Sequence, residues 1–404
     1  MNEGKSKSVL KRIPGGVWAL GFVSMLMDIS SEMIHSLLPL FMITTLGATY
    51  FIVGIVEGLA EATALIVKVF SGVLSDWLGK RKWVAATGYT LGAFTKPFFA
   101  MATSMGVVTA ARLIDRVGKG IRGAPRDALI TDITPAEVRG AAFGLRQSLD
   151  TVGAFIGPLL AFGLMLFWIN YPDDTRLRNV FWVAVIPGAL AVLLIVLGVK
   201  EPAREKKEKR TNPISRENLK KLSSSYWWVV CIGAFFSLAR FSEAFLVLRA
   251  KECLINIAFV PLVMVVMNII YSFCSYPFGK LSDKGGHTKI LITGLFVLIA
   301  ADFILAVNAH WAFMLIGVAV WGVHMGMTQG LLSRMIADAA PVELRGTAFG
   351  FFNLVSGISM LIASIIAGIM WDKLGWSYTF YTGAGFCLVT IAALALHSMR
   401  NKDV

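Results

Sequence analysis

Residues 130–144 read ITDITPAEVRGAAFG and residues 336–350 read IADAAPVELRGTAFG, so one pattern occurs twice in the chain. A second pair behaves in the same way, because GVLSDWLGKRK begins at Gly72 and GKLSDKGGHTK begins at Gly279. Both pairs are separated by 206 or 207 residues, about half of the 404-residue chain. Two independent segments at one offset favour an internal duplication over coincidence. The sequence therefore predicts two similar halves.

The composition places these halves in a membrane. Hydrophobic residues make up 56% of the chain and charged residues 16%, whereas a soluble domain has about 45–50% apolar and about 25% charged residues. A membrane-spanning helix needs roughly 20 mostly apolar residues. Such stretches follow one another with short polar breaks, and they predict twelve spans, near residues 15–44, 49–74, 83–103, 106–130, 140–168, 178–199, 226–249, 254–281, 288–307, 310–335, 346–370 and 376–398.

The basic residues between these spans predict the orientation of the chain. Twelve spans place both termini on the same side, and most cations in the short loops also fall on that side. Because cytoplasmic loops carry an excess of lysine and arginine, that side is predicted to be cytoplasmic, in the cell inner (plasma) membrane. The loop cations that support this orientation are Lys80, Arg81, Lys82, Arg139, Lys284, Lys289 and Arg345.

A charged segment divides the chain near its middle. Residues 201–221 read EPAREKKEKRTNPISRENLKK, which is typical of a cytoplasmic linker. The predicted fold is all-α, with two parallel six-helix bundles at residues 1–199 and 226–404 joined by a basic linker at residues 200–225. Duplicated bundles of this kind face each other across a central path.

The repeated loop resembles the signature of the major facilitator superfamily (MFS) of secondary transporters. The family pattern between helices 2 and 3 is Gly-x-Leu-x-Asp-x-x-Gly followed by two basic residues. The second half repeats this pattern less completely, with Asp283 and Gly286. The resemblance covers essentially the whole chain and implies a 12-helix transporter fold. The matching residues in the first half are Gly72, Leu74, Asp76, Gly79, Lys80 and Arg81.

A segment of the fifth predicted span resembles a pattern associated with exporters of this family. The segment reads GAFIGP and contains Gly153, Gly157 and Pro158. The Gly-Gly pair that follows in the family pattern is replaced here by Ala161 and Phe162. The resemblance therefore favours export while the departure leaves uptake open.

The resemblance also implies a gating role for the repeated loops. In the family, the aspartate and the basic residues bind neighbouring helix ends in one conformation and release them in the other. An aspartate can bind a helix N-terminus or a cation, and losing that interaction shifts a two-state equilibrium. The alternative is purely topological, since cytoplasmic cations fix the orientation anyway. The predicted gating residues are Asp76, Lys80, Arg81, Arg139, Asp283 and Arg345.

Acidic side chains inside the predicted spans point to proton coupling. An ionisable residue near the middle of a span costs about 2.5–3.5 kcal/mol, so it should face protein or water. Asp28 and Glu32 are one helical turn apart, as are Glu57 and Glu61, so each pair projects from one face. Close carboxylates resist simultaneous ionisation, so one of them can carry a proton near neutral pH. The alternative is structural pairing with cations such as Lys68, Lys96, Arg112 and Arg116.

The fourth predicted span concentrates charge on one face. At about 100° per residue its charged side chains fall within an arc of roughly 140°, and so many cations cannot face lipid. Those nearest the midplane are predicted to touch substrate or the acids of helices 1 and 2. Glu243 in FSEAF is the predicted repeat equivalent of Glu32 in SSEMI. Asp150 has a second interpretation, pairing with Arg146 one turn earlier. The predicted substrate-binding residues are Arg112, Arg116, Asp150, Arg240 and Glu243.

The leading functional hypothesis is a secondary transporter that exports a small organic solute by proton-coupled alternating access. Interior charges of both signs indicate cargo with an anionic or zwitterionic part, because the planar guanidinium group of arginine can donate two parallel hydrogen bonds to a carboxylate or a phosphate. The alternatives are proton-coupled uptake of an organic anion or a siderophore, and a receptor or scaffold on a transporter fold. The chain has no G-x-S-x-G, Walker or HExxH motif, which disfavours an enzyme. We expect a monomer in the lipid bilayer, with protons and a small molecule as partners, and no nucleic acid, cofactor or metal.

Overall fold

The structure is a computed structural model that describes residues 12–201, 219–253, 256–282, 286–307, 310–341 and 344–400. Within these ranges the chain forms α-helices and two short 3-10 turns, without a β-strand, so the predicted all-α class is confirmed. The helices are α1 Gly15–His35, α2 Leu38–Thr44, α3 Tyr50–Leu78, α4 Arg81–Met101, α5 Met105–Ile133, α6 Arg139–Phe167, α7 Asp173–Gly198, α8 Ser224–Ala239, α9 Ala244–Glu252, α10 Leu262–Ser282, α11 His287–Val307, α12 Trp311–Thr328, α13 Leu331–Ala339, α14 Arg345–Leu374 and α15 Trp376–Arg400.

Ten helical segments within these ranges are long and apolar enough to cross a membrane. Helices α4 and α5, with 21 and 29 residues, are not among the ten, although the sequence predicts that both span. Their sequences carry more charged and polar side chains, and α5 contains the charged face noted above. The multi-pass architecture is therefore supported, whereas the count of twelve spans and the side of the termini stay predictions.

Three of the predicted spans are each divided into two helices. Helix α1 ends at His35 and α2 begins at Leu38, next to Pro39, which has no backbone N–H to continue the helical hydrogen bonds. Helix α12 ends at Thr328 and α13 begins after Gly330, a residue type that weakens helices. These breaks interrupt the predicted spans at residues 15–44 and 310–335.

The third division separates α8 from α9 at residues 240–243. The backbone leaves the helical region at Arg240, where φ is −111° and ψ is 86°. The freed N–H of Ser242 donates to the hydroxyl of Ser364 at 3.2 Å. Non-helical backbone at membrane depth is tolerated where it is buried in protein or lines a cavity. Arg240 and Glu243 therefore lie on an irregular segment rather than on a continuous helix.

The helices pack in two sets. In the first set, α1 packs against α6 and α7, and α5 against α3 and α4; in the second, α12 packs against α10 and α11, and α8 against α14 and α15. The two sets meet mainly where α3 packs on α14 and where α6 packs on α10. Glycines permit this approach, since a Cβ atom on Gly54 would collide with the backbone carbonyl of Ser364, and one on Gly368 would lie 2.6 Å from the carbonyl oxygen of Tyr50.

The interface between the sets is closed at the end where α3 begins. The carboxylate of Asp372 accepts hydrogen bonds from the backbone N–H groups of Tyr50 at 3.1 Å and Phe51 at 2.8 Å. The hydroxyl of Tyr50 donates to Glu252 at 2.6 Å. Asp372 of the second set thus caps the N-terminus of a helix in the first, where a negative charge is favourable.

The opposite end of the same helices is open. A Cβ atom on Gly140 or Gly144 of α6, on Gly279 of α10 or on Gly346 of α14 would find no atom within 4 Å. These glycines lie next to the repeated loops. The helices are therefore less tightly packed at the end of the molecule that carries those loops, which is called the open end below.

Candidate functional site

A cavity of about 410 Å³ lies between the two sets of helices. Its walls combine charged, neutral polar and apolar side chains, which distinguishes it from the lipid-facing surface. Ionisable side chains lie on both walls, five in the first set and two in the second. The ionisable lining residues are Glu32, His35, Glu61, Arg116, Lys119, Arg240 and Glu243.

A series of neighbouring ionisable groups runs from the cavity into the first set of helices. Glu32 and His35 lie on the last turn of α1, with 3.3 Å between the carboxylate oxygen Oε2 and the ring nitrogen Nδ1. The other ring nitrogen of His35 lies 3.7 Å from the carboxylate of Glu57 on α3. Glu57 is fully buried and accepts a hydrogen bond from Arg112 of α5 at 2.6 Å. A group on the cavity wall is thus connected, through one imidazole, to a buried ion pair.

Helix α5 presents two cations directly to the cavity. The guanidinium of Arg116 lies 3.3 Å from the carboxylate of Glu61 on α3. Lys119 follows three residues later on the same face and is exposed to the cavity. Among the residues described by the structure, no carboxylate lies within 4 Å of the Lys119 ammonium, whereas Arg116 is paired. The first wall therefore contains one paired and one unpaired cation from α5.

A second ion pair of α5 faces away from the cavity. The ammonium of Lys96 on α4 binds Asp115 at 2.8 Å and also donates to the hydroxyl of Ser31 at 3.1 Å. Lys96 and Asp115 are both buried. The sequence predicts Lys96 only as a possible partner for the acids of helices 1 and 2. Its pairing with Asp115 joins α4 to α5 and is structural.

Charges nearer the open end form a separate network beside the cavity. Asp28 lies 3.8 Å from Arg122, and Arg122 also packs over the ring of Tyr89. Arg146 and Asp150 pair one turn apart at 2.5 Å, which agrees with the second interpretation of Asp150. Neither Asp28 nor Asp150 is among the residues that line the cavity.

The second wall carries Arg240 and Glu243, on the irregular segment between α8 and α9. Their side chains are 3.8 Å apart and both line the cavity. Glu32 lies just before the break between α1 and α2, so the two glutamates predicted to be repeat equivalents both lie beside a helix break. Neutral polar groups complete the lining, and they include Asn268, Gln329 and Asn353.

The structure thus brings together part of the predicted site. Of the acids predicted to couple protons, Glu32 and Glu61 line the cavity, Glu57 lies one contact behind it, and Asp28 lies in the network near the open end. Arg112, predicted to bind substrate, is 2% exposed and occupied by Glu57. The predicted substrate positions that face the cavity are Arg116, Arg240 and Glu243.

Three of the predicted gating residues, Arg81, Arg139 and Arg345, bind helix ends. Arg81 donates to Asp132 at 2.6 Å and to the carbonyl of Ala128 at 3.0 Å. Arg139 and Arg345, equivalent in the repeat, each donate to a backbone carbonyl of the preceding helical region, that of Thr134 at 3.3 Å and that of Ala337 at 3.2 Å. Lys80 is exposed at the start of α4. Asp76 lies on α3 but its side chain is outside the described structure, as is the whole of Asp283.

Some residues near the site were given no role by the sequence analysis. His35 and Lys119 are two of them, and both line the cavity. Asp302 on α11 was missed entirely, because it stands alone in an apolar run; it is fully buried, and neither carboxylate oxygen has a hydrogen-bond partner among the described residues. The signal that could have found it is a single acid within a span.

The family of the chain follows from comparison with known proteins. The model of the Major Facilitator Superfamily matches residues 20–252 and 244–403. The chain belongs to the Major Facilitator Superfamily. Membership identifies this MFS chain as a transporter rather than an enzyme, in agreement with the sequence analysis.

Two relatives illustrate the range of this family around the chain. An uncharacterised MFS-type transporter of Methanocaldococcus jannaschii is 32% identical over 389 residues, which cover 94% of each chain. The quinolone resistance protein NorA of Staphylococcus aureus is 22% identical over 364 residues, covering 88% of this chain and 90% of NorA. Both alignments extend over most of the two halves.

Solved MFS structures share the fold at low sequence identity. The nucleoside transporter NupG is 15% identical, with a TM-score of 0.74 over 94% of this chain and 98% of that one. A bacterial homologue of the human lysosomal transporter Spinster, solved in an inward-facing and occupied conformation, also has 15% identity and a TM-score of 0.74, over 96% of each chain. These similarities concern the fold alone.

Proposed function

We propose that this MFS protein exports a small organic solute through the central cavity by proton-coupled alternating access. In this proposal the chain has twelve spans in two parallel six-helix bundles, at residues 1–199 and 226–404, joined by a linker at residues 200–225. The protein lies in the cell inner membrane, and both of its termini are cytoplasmic. Each chain encloses a whole cavity, so the proposal needs no second copy.

One observation carries this proposal. The cavity lies between the two sets of helices, which are held together at Asp372 and Tyr50 and are loosely packed at the end of the repeated loops. A site at the bundle interface with access from one side is what alternating access requires, since rocking of the sets can transfer access to the other side. The glycine contacts of α3 with α14 are the surfaces that separate in the opposite state.

The connected groups Glu32, His35 and Glu57 support the coupling to protons. Histidine is the side chain whose charge changes most readily near neutral pH, and interacting groups titrate as a unit. A proton gained at the Glu32–His35 pair alters the charge beside Glu57, which is bound to Arg112. Protonation at the cavity wall can therefore bias the packing of α1, α3 and α5.

Export is supported by two observations that act in the same direction. The segment GAFIGP resembles the exporter pattern, and one full-length relative is named as a quinolone resistance protein. Uptake uses the same cavity and the same coupling groups, so the direction is decided by experiment.

Flux in proteoliposomes tests the proposal as a whole. We expect an imposed pH step to drive proton movement, read by a trapped pH-sensitive dye, only when a transported solute is added from a panel of amino acids, nucleosides, carboxylates and a quinolone. Vesicles without protein are the control. A receptor would instead bind a panel member, and so raise its melting temperature, without any flux.

A double substitution of Glu32 and His35 tests whether transport is coupled to protons. We expect the Glu32→Gln, His35→Gln protein to lose at least 10-fold of its pH-driven flux while it retains solute exchange between equal pH values, because the groups that gain and lose the proton are gone. The matched control is Glu137→Gln, an exposed glutamate outside the cavity. Undiminished pH-driven flux in the double variant would remove this pair from the mechanism.

A further inference from the structure

The cavity contains one cation, Lys119, that has no carboxylate within 4 Å in the part of the protein that the structure describes, and this asymmetry concerns the chemistry of the cargo. We infer that the solute carries an anionic group, a carboxylate or a phosphate, and that Lys119 binds it. The inference rests on the proposed function, because it assigns the cargo of the same cavity. Lys119 has no role in the sequence-based site.

The other cations of the cavity are each occupied. Arg116 lies 3.3 Å from Glu61, Arg240 lies 3.8 Å from Glu243, and the imidazole of His35 lies 3.3 Å from Glu32. These pairs use all three carboxylates that line the cavity. When His35 is protonated, the walls therefore hold one more positive than negative charge, and the excess lies at Lys119.

The position of Lys119 suits a ligand better than it suits a structural role. Its side chain is exposed to the cavity, and the part of the chain that the structure describes brings no carboxylate within 4 Å of its ammonium. An ammonium has three donors and no acceptor, so an anionic oxygen is its natural partner. Arg116 lies three residues earlier on the same face of α5, which makes the electrostatic potential there more positive.

The opposite wall provides neutral groups for the remainder of the solute. Asn268, Gln329 and Asn353 can each donate and accept hydrogen bonds, and they line the same cavity. A hydrophobic cation would instead need an unpaired carboxylate among the lining residues that the structure describes, where Glu32, Glu61 and Glu243 already have partners. The arrangement therefore fits a small polar organic anion.

A reactive organic anion can serve as the probe while the cargo is unidentified. The four native cysteines, Cys231, Cys253, Cys274 and Cys387, are replaced, and Ser333→Cys places one thiol on the cavity wall. The anionic reagent methanethiosulfonate ethylsulfonate and its trimethylammonium analogue then modify this thiol, and their rate ratio is compared with that of a free thiol. We expect the cavity to favour the anionic reagent.

The substitution Lys119→Gln is expected to reduce this preference about fivefold, which is the change in the anion-to-cation rate ratio that follows from one unit charge at an assumed distance of about 8 Å in a water-filled site. The control Lys373→Gln removes the same charge at the closed end and should leave the ratio unchanged. An unchanged ratio in Lys119→Gln, or a cavity that favours the cationic reagent, would overturn the inference.

Two additional measurements complete the test. The first distinguishes a soluble cargo from a lipid headgroup, and the second separates failure of the anion site from failure of the proposed transport function. Nanodiscs of phosphatidylcholine are compared with nanodiscs that also contain phosphatidylglycerol; protection of the thiol only by the anionic lipid would assign the site to a headgroup and refute a soluble cargo. The labelling requires no transport. Loss of flux in proteoliposomes with an intact Lys119-dependent preference would therefore refute the proposed transport function and leave the anion site standing.

Discussion

The substitution Arg112→Met is expected to lower the free energy of unfolding by about 3–5 kcal/mol, because it leaves Glu57 charged and buried without its main partner. The guanidinium of Arg112 donates to Glu57 at 2.6 Å, and the two side chains are 2% and 0% exposed. His35, at 3.7 Å from Glu57, is too distant to replace that hydrogen bond. Thermal and denaturant unfolding in detergent measure the loss.

Removing both charges should reverse most of that loss. In the Glu57→Gln, Arg112→Met double variant no uncompensated buried charge remains, so we expect stability within about 1–2 kcal/mol of the starting protein. The control is Asp174→Asn, which breaks a partly exposed pair with Arg178 and should cost less than about 1 kcal/mol. If the Arg112→Met protein were as stable as the Asp174→Asn control, the pair of Glu57 and Arg112 could not be both charged and desolvated.

The substitution Gly54→Leu is expected to disable the transition between the two access states. A side chain at Gly54 collides with the backbone carbonyl of Ser364, which cannot rotate away as a flexible side chain can. Overpacking at such a contact costs about 1–3 kcal/mol, so the ratio of the state closed at this end to the open state should fall by about 5- to 150-fold. We expect pH-driven flux to fall with it.

Spin labels measure the displacement directly. With cysteines at Thr44 and Lys373, one on each set at the closed end, the distance between labels should increase in Gly54→Leu. The matched control is Gly163→Leu on α6, where an added Cβ atom meets no atom within 4 Å. An unchanged distance with normal flux would show that close contact between α3 and α14 is not required for the cycle.

The fold could be read from the sequence because its determinants are local and repeated. The duplicated loops at residues 72–82 and 279–289 and the apolar runs indicate the helical, multi-pass architecture and the family resemblance. The charged face of α5 was also predictable, since helical periodicity alone places Arg112, Arg116 and Lys119 on one side. The helix break beside Pro39 had a signal that the sequence-based prediction of a continuous span did not use.

The site could be predicted only in part, because the depth and rotation of each helix depend on long-range packing. Asp28 and Glu32 are one turn apart on α1, yet Glu32 faces the cavity and Asp28 lies near Arg122. Arg112 and Arg116 divide in the same way between a buried pair and the cavity wall. Periodicity fixes the face of a helix but not which turn lies opposite an opening.

The distribution of ion pairs gives the two walls of the cavity different mechanical properties. Among the residues that the structure describes, the buried pairs of Glu57 with Arg112 and of Lys96 with Asp115 cross-link neighbouring helices of the first set, which has one helix break, at residues 36–37, whereas the second set has two, at residues 240–243 and at 329–330. A cross-linked bundle resists bending and a jointed one yields to it. In the proposed transport cycle, bending should therefore be greater in the second set than in the first.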